Sequence, residues 1–341
     1  MMSLQKRAVR YEELQPCVNA FIDTRSPGSD KKENFTIIGP GVAENPNQHV
    51  HIKIPHGFNI GGARQPVNCL NSQHSHLTEE VFVVHHGKWD FVTGVDANDG
   101  RVSLNSGDII SLPIDVFRGF ECIQGLPSGA HKGLGYLHAV LGGDDPGRVL
   151  WAPKVFDMAK DYGLVLLEDG SLIDTIAGES IPPGKKPMLV TNTQQIAEHR
   201  FVDSNALDQY VIRAADFDWQ SNTVLSRFEG VSEVSLIGEG STEESIVASK
   251  LGWKHGFVVR ALKLQAGASI PPHQRAEEEV IFVHQGSLSI SVDKETIQLV
   301  AGDNFTTPIG SQRSFSNLSD AESVCYITRR GDIPQPPVFS S

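Results

Sequence analysis

No apolar run in this 341-residue chain reaches the length of about 20 residues that a membrane-spanning helix needs. The stretch after Met1-Met2-Ser3-Leu4-Gln5-Lys6-Arg7 has no apolar core of a secretory signal. Cysteine is scarce. Cys17, Cys69, Cys122 and Cys325 show no CxxC or other metal-ligand spacing, so they read as the reduced thiols of a cytoplasmic protein. Cations are also short: 29 Lys and Arg stand against 41 Asp and Glu, a formal net charge of −12. That balance argues against nucleic acid or an anionic membrane as partner, although it leaves room for a local Arg-lined cleft. What the chain does have is 39% hydrophobic residues, 32 glycines and 19 prolines, a composition suited to a turn-rich β protein of two domains.

The strongest feature is an internal repeat. His74-Ser75-His76-Leu77-Thr78-Glu79-Glu80 leads into Val81–Gly87, and His273-Gln274-Arg275-Ala276-Glu277-Glu278-Glu279 leads into Val280–Gly286. Gly107-Asp108, Pro113 and Arg118 follow the first copy, and Gly302-Asp303, Pro308 and Arg313 follow the second. The spacing predicts an N-terminal domain over 1–150, a connection over 151–205 and a C-terminal domain over 206–341.

Residues 1–45 read as irregular and polar. From His49 the pattern alternates, and strands are predicted at 79–85, 88–94, 101–104, 108–112, 117–123 and 134–141, with Asn98-Asp99-Gly100 as a hairpin turn. Many short strands with turn signals between them point to a sandwich or barrel. Pro153 near a start and Gly163 at an end predict a helix over 152–163, Glu168-Asp169-Gly170 a hairpin, and Thr193–His199 a short helix. Strands resume near Tyr210, and 331–341 is a Pro-rich tail.

A strand places residues i and i+2 on one face, so His74 and His76 point together, and Glu80 joins them if the strand stays regular. Two imidazoles and a carboxylate suit a divalent first-row metal with positions left open for substrate. His49-Val50-His51 is also an HxH, but no Glu follows at the right distance, so it belongs on a polar strand face. His85 and His284 lie an odd number of steps from Glu80 and Glu279 and should face away. His86 and His138 could face a cavity, with His138 the candidate substitute ligand or base. Phe82, Trp89, Phe120 and Tyr136 read as core, and Glu79, Glu277 and Glu278 as solvated charges.

In these motifs the chain resembles the cupin superfamily, and the bicupins in particular. His74, His76, Glu80 and Gly87 fit the first cupin motif, with Asn68 in place of its first Gly. Gly267, His273, Glu279 and Gly286 fit it in the second copy, with Arg275 in place of the second His. In the second cupin motif Gly107 and Pro113 fit, Asp115 replaces Gly, and Arg118 stands where the last metal-ligating His belongs. Gly302, Pro308, Gly310 and Asn317 fit in the second copy, and Arg313 again replaces that His. The resemblance implies an all-β fold of two cupin barrels in tandem, each a jelly roll or double-stranded β-helix, with short helices in the connection.

The resemblance also implies an enzyme of the type of the gentisate, hydroxynaphthoate, salicylate or flavonol dioxygenases, acting on a small oxygenated or aromatic acid. Fe(II) is the metal expected, with Mn, Ni or Zn compatible and a metal-free protein the alternative. One metal per chain is expected, held by His74, His76 and Glu80. Arg cannot ligate a metal. Arg118 therefore either meets a substrate carboxylate or pairs with Glu80, and its recurrence as Arg313 in the second copy favours the substrate role. Arg118, Glu80 and His138 are the catalytic candidates. His273, Arg275, Glu279 and Arg313 form a degenerate second site, read as an internal ion-pair cluster with an anion pocket as the alternative. A metal-free cupin binding small acids or sugars through inward arginines, and an isomerase or lyase of an oxyacid, are the competing functions. The expected partner is a small acidic substrate, and the expected assembly a homo-oligomer.

Overall fold

The computed structural model describes residues 3–340. Its strands in chain order begin with β1 (Ala8–Val9), β2 (Glu33–Ile38), β3 (Val50–Ile52), β4 (Phe58–Pro66), β5 (Leu70–Ser75) and β6 (Glu80–His86). There follow β7 (Lys88–Thr93), β8 (Gly100–Leu104), β9 (Ile109–Leu112), β10 (Arg118–Gln124), β11 (Leu134–Gly142) and β12 (Leu150–Trp151). The middle of the chain holds helix α1 (Pro153–Asp161), the hairpin β13 (Leu164–Leu166) and β14 (Leu172–Asp174), helices α2 (Thr193–Ala197) and α3 (Ser204–Asp208), and β15 (Val211–Ile212). The second half contains β16 (Val231–Ile237), β17 (Phe257–Leu264), β18 (Ser269–Gln274), β19 (Glu279–Gln285) and β20 (Ser287–Val292). It ends with β21 (Glu295–Val300), β22 (Asn304–Thr307), β23 (Arg313–Ser316), β24 (Ser323–Arg330) and β25 (Val338–Phe339).

These strands form two jelly-roll barrels. In the first, the sheet β15-β9-β6-β11-β4-β2-β3 faces the sheet β12-β5-β10-β7-β8. In the second, β1-β22-β19-β24-β17-β16 faces β21-β20-β23-β18-β25. Each barrel has its own apolar core. Phe82, Val84, Trp89, Phe91 and Phe120 belong to that of the first, and Leu288, Ile290, Phe305 and Phe315 to that of the second. The six strand predictions hold to within a residue at each end, because alternating burial and turn residues fix these elements locally. The α1 helix has Pro153 at its start and Gly163 at φ +74 just beyond it. Asn192 accepts from Gln194 and Gln195 in a capping box at α2.

The compact units differ from the sequence division in two ways. One unit comprises 15–53 and 59–214, so the helical stretch over 151–205 belongs with the first barrel rather than between the two. It does so because Val155, Ala159, Leu164 and Leu166 bury against Trp151 and Val149. The other unit comprises 1–14, 54–58 and 215–341. Its β1 pairs with β22 in register Ala8↔Phe305. The stretch over 1–45 is also less irregular than its composition implies: β2 runs through it and buries Phe35, Ile37 and Ile38.

Two departures from the cupin motifs leave the turns intact. Asn68 (φ 65) and Asp115 (φ 57) take the left-handed conformation that Gly267 (φ 77) and Gly310 (φ 70) take in the second barrel. Asn and Asp tolerate that conformation better than other side chains.

Candidate metal centre in the first barrel

His74, His76 and Glu80 converge, but not from one regular strand as the spacing suggested. His74 lies on β5, His76 just past its end and Glu80 at the start of β6, so a turn between the facing sheets assembles the set. Their ligand atoms lie within 4.8 Å of one another, and this is the only such group of His, Cys, Asp and Glu among the described residues. All three are buried.

The His74 Nδ1 donates to the Ser72 carbonyl at 2.7 Å. A carbonyl can only accept, so the proton is on Nδ1 and the Nε2 lone pair is left for a ligand. Burial, reinforced by the Arg118 charge, pushes the His74 pKa down to about 3, and burial likewise holds His76 well below its usual value. Both imidazoles are therefore neutral near pH 7, the state a metal requires. The His76 Nδ1 is buried without a hydrogen-bond partner, and its Nε2 is 3.6 Å from Glu80 Oε2. The donor set fits a divalent first-row metal in type, protonation and spacing.

Arg118 occupies the register position opposite His74, where a fourth ligand would project. Its Nη2 donates to Glu80 Oε2 at 3.0 Å and its Nη1 to the Val116 carbonyl at 3.2 Å. The side chain is fully buried and does not line the cavity. The structure adopts the pairing with Glu80 rather than the favoured orientation toward a substrate. A buried guanidinium needs a counter-charge, and Glu80 is the carboxylate within reach. Burial nevertheless pushes the Glu80 carboxyl upward against the pull of Arg118.

His138 does not reach the site, correcting its place among the catalytic candidates. On β11 it lies opposite Val83, whereas its neighbours Ala139 and Leu141 line the cavity. Strand alternation puts His138 on the other face of the sheet. There burial holds its pKa down to about 3.

The cavity beside the three ligands measures about 80 Å³. Phe82, Phe120, Leu141, Val149 and Trp151 supply apolar walls, Asn34 and Asn71 polar ones, and Gly61 of β4 lines it without a side chain. The Trp151 ring lies 5.3 Å from that of His74. Lys32, fully buried and paired with Asp23, donates to Asn71 Oδ1 at 2.8 Å. The loop over 41–43, also a cavity wall, is tied down by Glu44, which accepts from Ile22 N at 2.7 Å and Trp151 Nε1 at 2.6 Å. Burial raises the Glu44 pKa to about 8, and these two hydrogen bonds offset it only in part. A second space of about 100 Å³ shares the walls Gly41, Val42, Ala43 and Val149 and carries Arg148, giving the cavity a polar antechamber.

The interior of the second barrel holds a buried ion-pair cluster. Glu244 accepts from Arg260 at 2.6 Å, Arg329 at 2.9 Å and Arg275 at 3.2 Å. Arg260 also reaches Glu233 at 3.3 Å, Arg275 lies 3.6 Å from Glu279, and Arg329 reaches Glu277 at 2.5 Å. Glu277, expected in solvent, is thus part of the cluster. Burial pushes Glu244 up, but Arg275, Arg329 and Arg260 together outweigh it and bring its pKa to about 2. His273, with Nδ1 against the Pro271 carbonyl, stays neutral because burial lowers its pKa to about 4.

Strand registers match the two interiors position by position. Gly61 pairs with Thr36 where Arg260 pairs with Ser235. Leu141 pairs with Glu80 where Arg329 pairs with Glu279. Arg118 faces His74 as Arg313 faces His273, and Trp151 covers His74 as Phe339 covers His273. Glycine and leucine in place of two arginines leave the first barrel hollow. Sequence reasoning passed over Asn34, Glu44, Trp151, Glu244, Arg260 and Arg329. Arg329, a charge directly after the largely apolar run Val324–Thr328, was the visible signal for the cluster.

Residues 261–328 match the family model described as "Cupin domain". No curated protein matches the chain. Among solved structures, the oxalate decarboxylase of Lactobacillus farciminis in complex with formate superposes with a TM-score of 0.58 at 10% identity, over 99% of this chain and 89% of that one. The oxalate decarboxylase of Bacillus subtilis at pH 4.6 superposes with a TM-score of 0.54 at 10% identity, over 98% and 78%. The fold is therefore that of a bicupin, two cupin barrels in one chain.

Proposed function

We propose that this bicupin is a metal-dependent enzyme acting on a small carboxylic acid in its first barrel. The observation that carries the reading is the contrast between the barrels. His74, His76 and Glu80 border a cavity in one, while arginines and glutamates fill the other. Two neutral imidazoles and a carboxylate would hold one divalent ion, Fe(II) by the motif resemblance, with Mn, Ni or Zn suiting the same donors. When bound, that ion supplies Lewis-acid polarisation and a template for substrate.

Charge argues for an acid. Glu80 and Arg118 already cancel, so a dication leaves an excess of two positive charges in a buried site, and an anionic substrate relieves it. Arg118 acts through Glu80, holding that carboxylate in place. Of the reactions compatible with a bicupin, lyase-type cleavage of a small oxyacid fits better than oxidative ring cleavage. A cavity of about 80 Å³ is tight for an aromatic acid, since sites for drug-sized ligands run to about 300 Å³ and more. The solved neighbours are oxalate decarboxylases, which makes oxalate the first probe.

Plasma mass spectrometry of the purified chain tests the metal. About one equivalent should be present, His76→Ala should bring it to background, and His273→Ala should leave it unchanged. Carbon dioxide release without oxygen consumption from oxalate would support the lyase reading, and oxygen uptake with an aromatic acid would replace it with the dioxygenase one. The Arg118–Glu80 contact at 3.0 Å favours one second reading, a metal-free acid-binding barrel. Wild-type protein that binds acids with no metal would select it.

A further inference from the structure

We propose that Asn34 determines which acids the first barrel accepts, its side-chain amide donating to a second acceptor oxygen of the bound acid. The inference rests on the reading of this cavity as the site for a small carboxylic acid. Asn34 lies on β2, three strands from Glu80 in the order β6-β11-β4-β2, yet both line the same cavity. A ligand held at His74, His76 and Glu80 therefore presents its other end toward the β2 side.

The Asn34 Nδ2 is buried without a hydrogen-bond partner. Native structures rarely leave such a donor unmet, and one facing a cavity fits an acceptor supplied by a ligand. The repeat gives the same answer independently. Asn34 pairs with Ala63 as Glu233 pairs with Leu262. Glu233 is engaged by Arg260 at 3.3 Å. In the first barrel the counterpart of Arg260 is Gly61, so the side chain that would meet Asn34 is missing and cavity takes its place. The change from carboxylate to amide matters too. A glutamate here would repel an anionic ligand, whereas an amide N–H can donate to it. Acids with an acceptor oxygen at both ends, such as oxalate and glyoxylate, match this arrangement. Acetate, with a methyl group at its far end, does not.

Calorimetric titration of the full chain with oxalate, glyoxylate and acetate tests this, with metal content measured on each sample. The wild type should bind oxalate and glyoxylate more tightly than acetate. Asn34→Leu should weaken both by roughly 10- to 100-fold, the worth of one hydrogen bond to a charged acceptor, with acetate binding and metal content unchanged. Asn34→Asp, nearly the same shape, should lose oxalate more severely and gives the answer if the Leu variant fails to fold. Wild-type oxalate affinity in Asn34→Leu or Asn34→Asp, with affinity lost in His76→Ala, would overturn the role of Asn34 and leave the site standing. A wild type that binds none of the three acids would overturn the proposed function and this inference together.

Discussion

Glu244→Gln is the sharpest test of what holds the interior of the second barrel together. Glu244 accepts from three arginines at 2.6–3.2 Å, and its side chain is 1% exposed. Amidation removes one negative charge and leaves Arg260, Arg275 and Arg329 sharing Glu233, Glu277 and Glu279. Breaking a buried pair from one side costs roughly 3–5 kcal/mol. An independent route agrees: a carboxyl held at about 2 rather than 4.5, at about 1.36 kcal/mol per pKa unit, contributes roughly 3 kcal/mol at neutral pH. Because the folded pKa is lowered, this contribution is present above about pH 4.5 and is lost as pH falls toward 2. Thermal unfolding followed by circular dichroism from pH 3 to 8 should give a Tm roughly 6–15 °C below wild type near pH 7. The difference should shrink on the acid side. The reasoning is refuted by a Glu244→Gln variant that melts with wild type at pH 7, or by a deficit that does not narrow with acid.

Two further outcomes are expected from the first barrel. Arg118→Met strands the Glu80 carboxylate, so the metal-free variant should lose roughly 3–5 kcal/mol, less if Glu80 protonates. Added divalent cation should raise its Tm by more than it raises that of wild type, and an unchanged melting curve would place the pair outside the energetics of the fold. Glu44 has the opposite sign to Glu244. Its folded pKa is raised to about 8, so the native state keeps a proton that the unfolded chain releases, and stability falls as pH rises from about 4.5 to 8. Glu44→Gln should flatten that alkaline decline, worth up to roughly 4–5 kcal/mol, and a Tm-versus-pH curve with the wild-type slope would remove Glu44 as its cause.

The metal-type residues were legible because their spacing is a local property. His74 and His76 share a face two residues apart, and Glu80 follows after a turn of short, fixed length. Arg118 was legible as the odd residue at the fourth position, but its partner was not. Whether it turns to Glu80 or to the cavity depends on strand register across two sheets, Arg118 against His74 and Glu80 against Leu141. His138 failed for the same reason: nothing local to its strand says which face of the sheet the cavity occupies.

By itself the sequence determined two jelly-roll barrels, the position of nearly every strand around the motifs, and which barrel keeps the ligand-type side chains. Those follow from alternation, turn residues and an internal repeat, all of which act over a few neighbours. Only the tertiary structure decided that the first barrel keeps a cavity beside its ligand-type residues and that the second buries an ion-pair cluster. That difference is made by Gly61 against Arg260, Leu141 against Arg329 and Asn34 against Glu233, together with the loop carboxylate Glu244 meeting three arginines. The three arginines that meet Glu244 lie 16–85 positions away in sequence. They meet because sheet register and barrel closure place them in one interior, and there a buried charge must find its opposite.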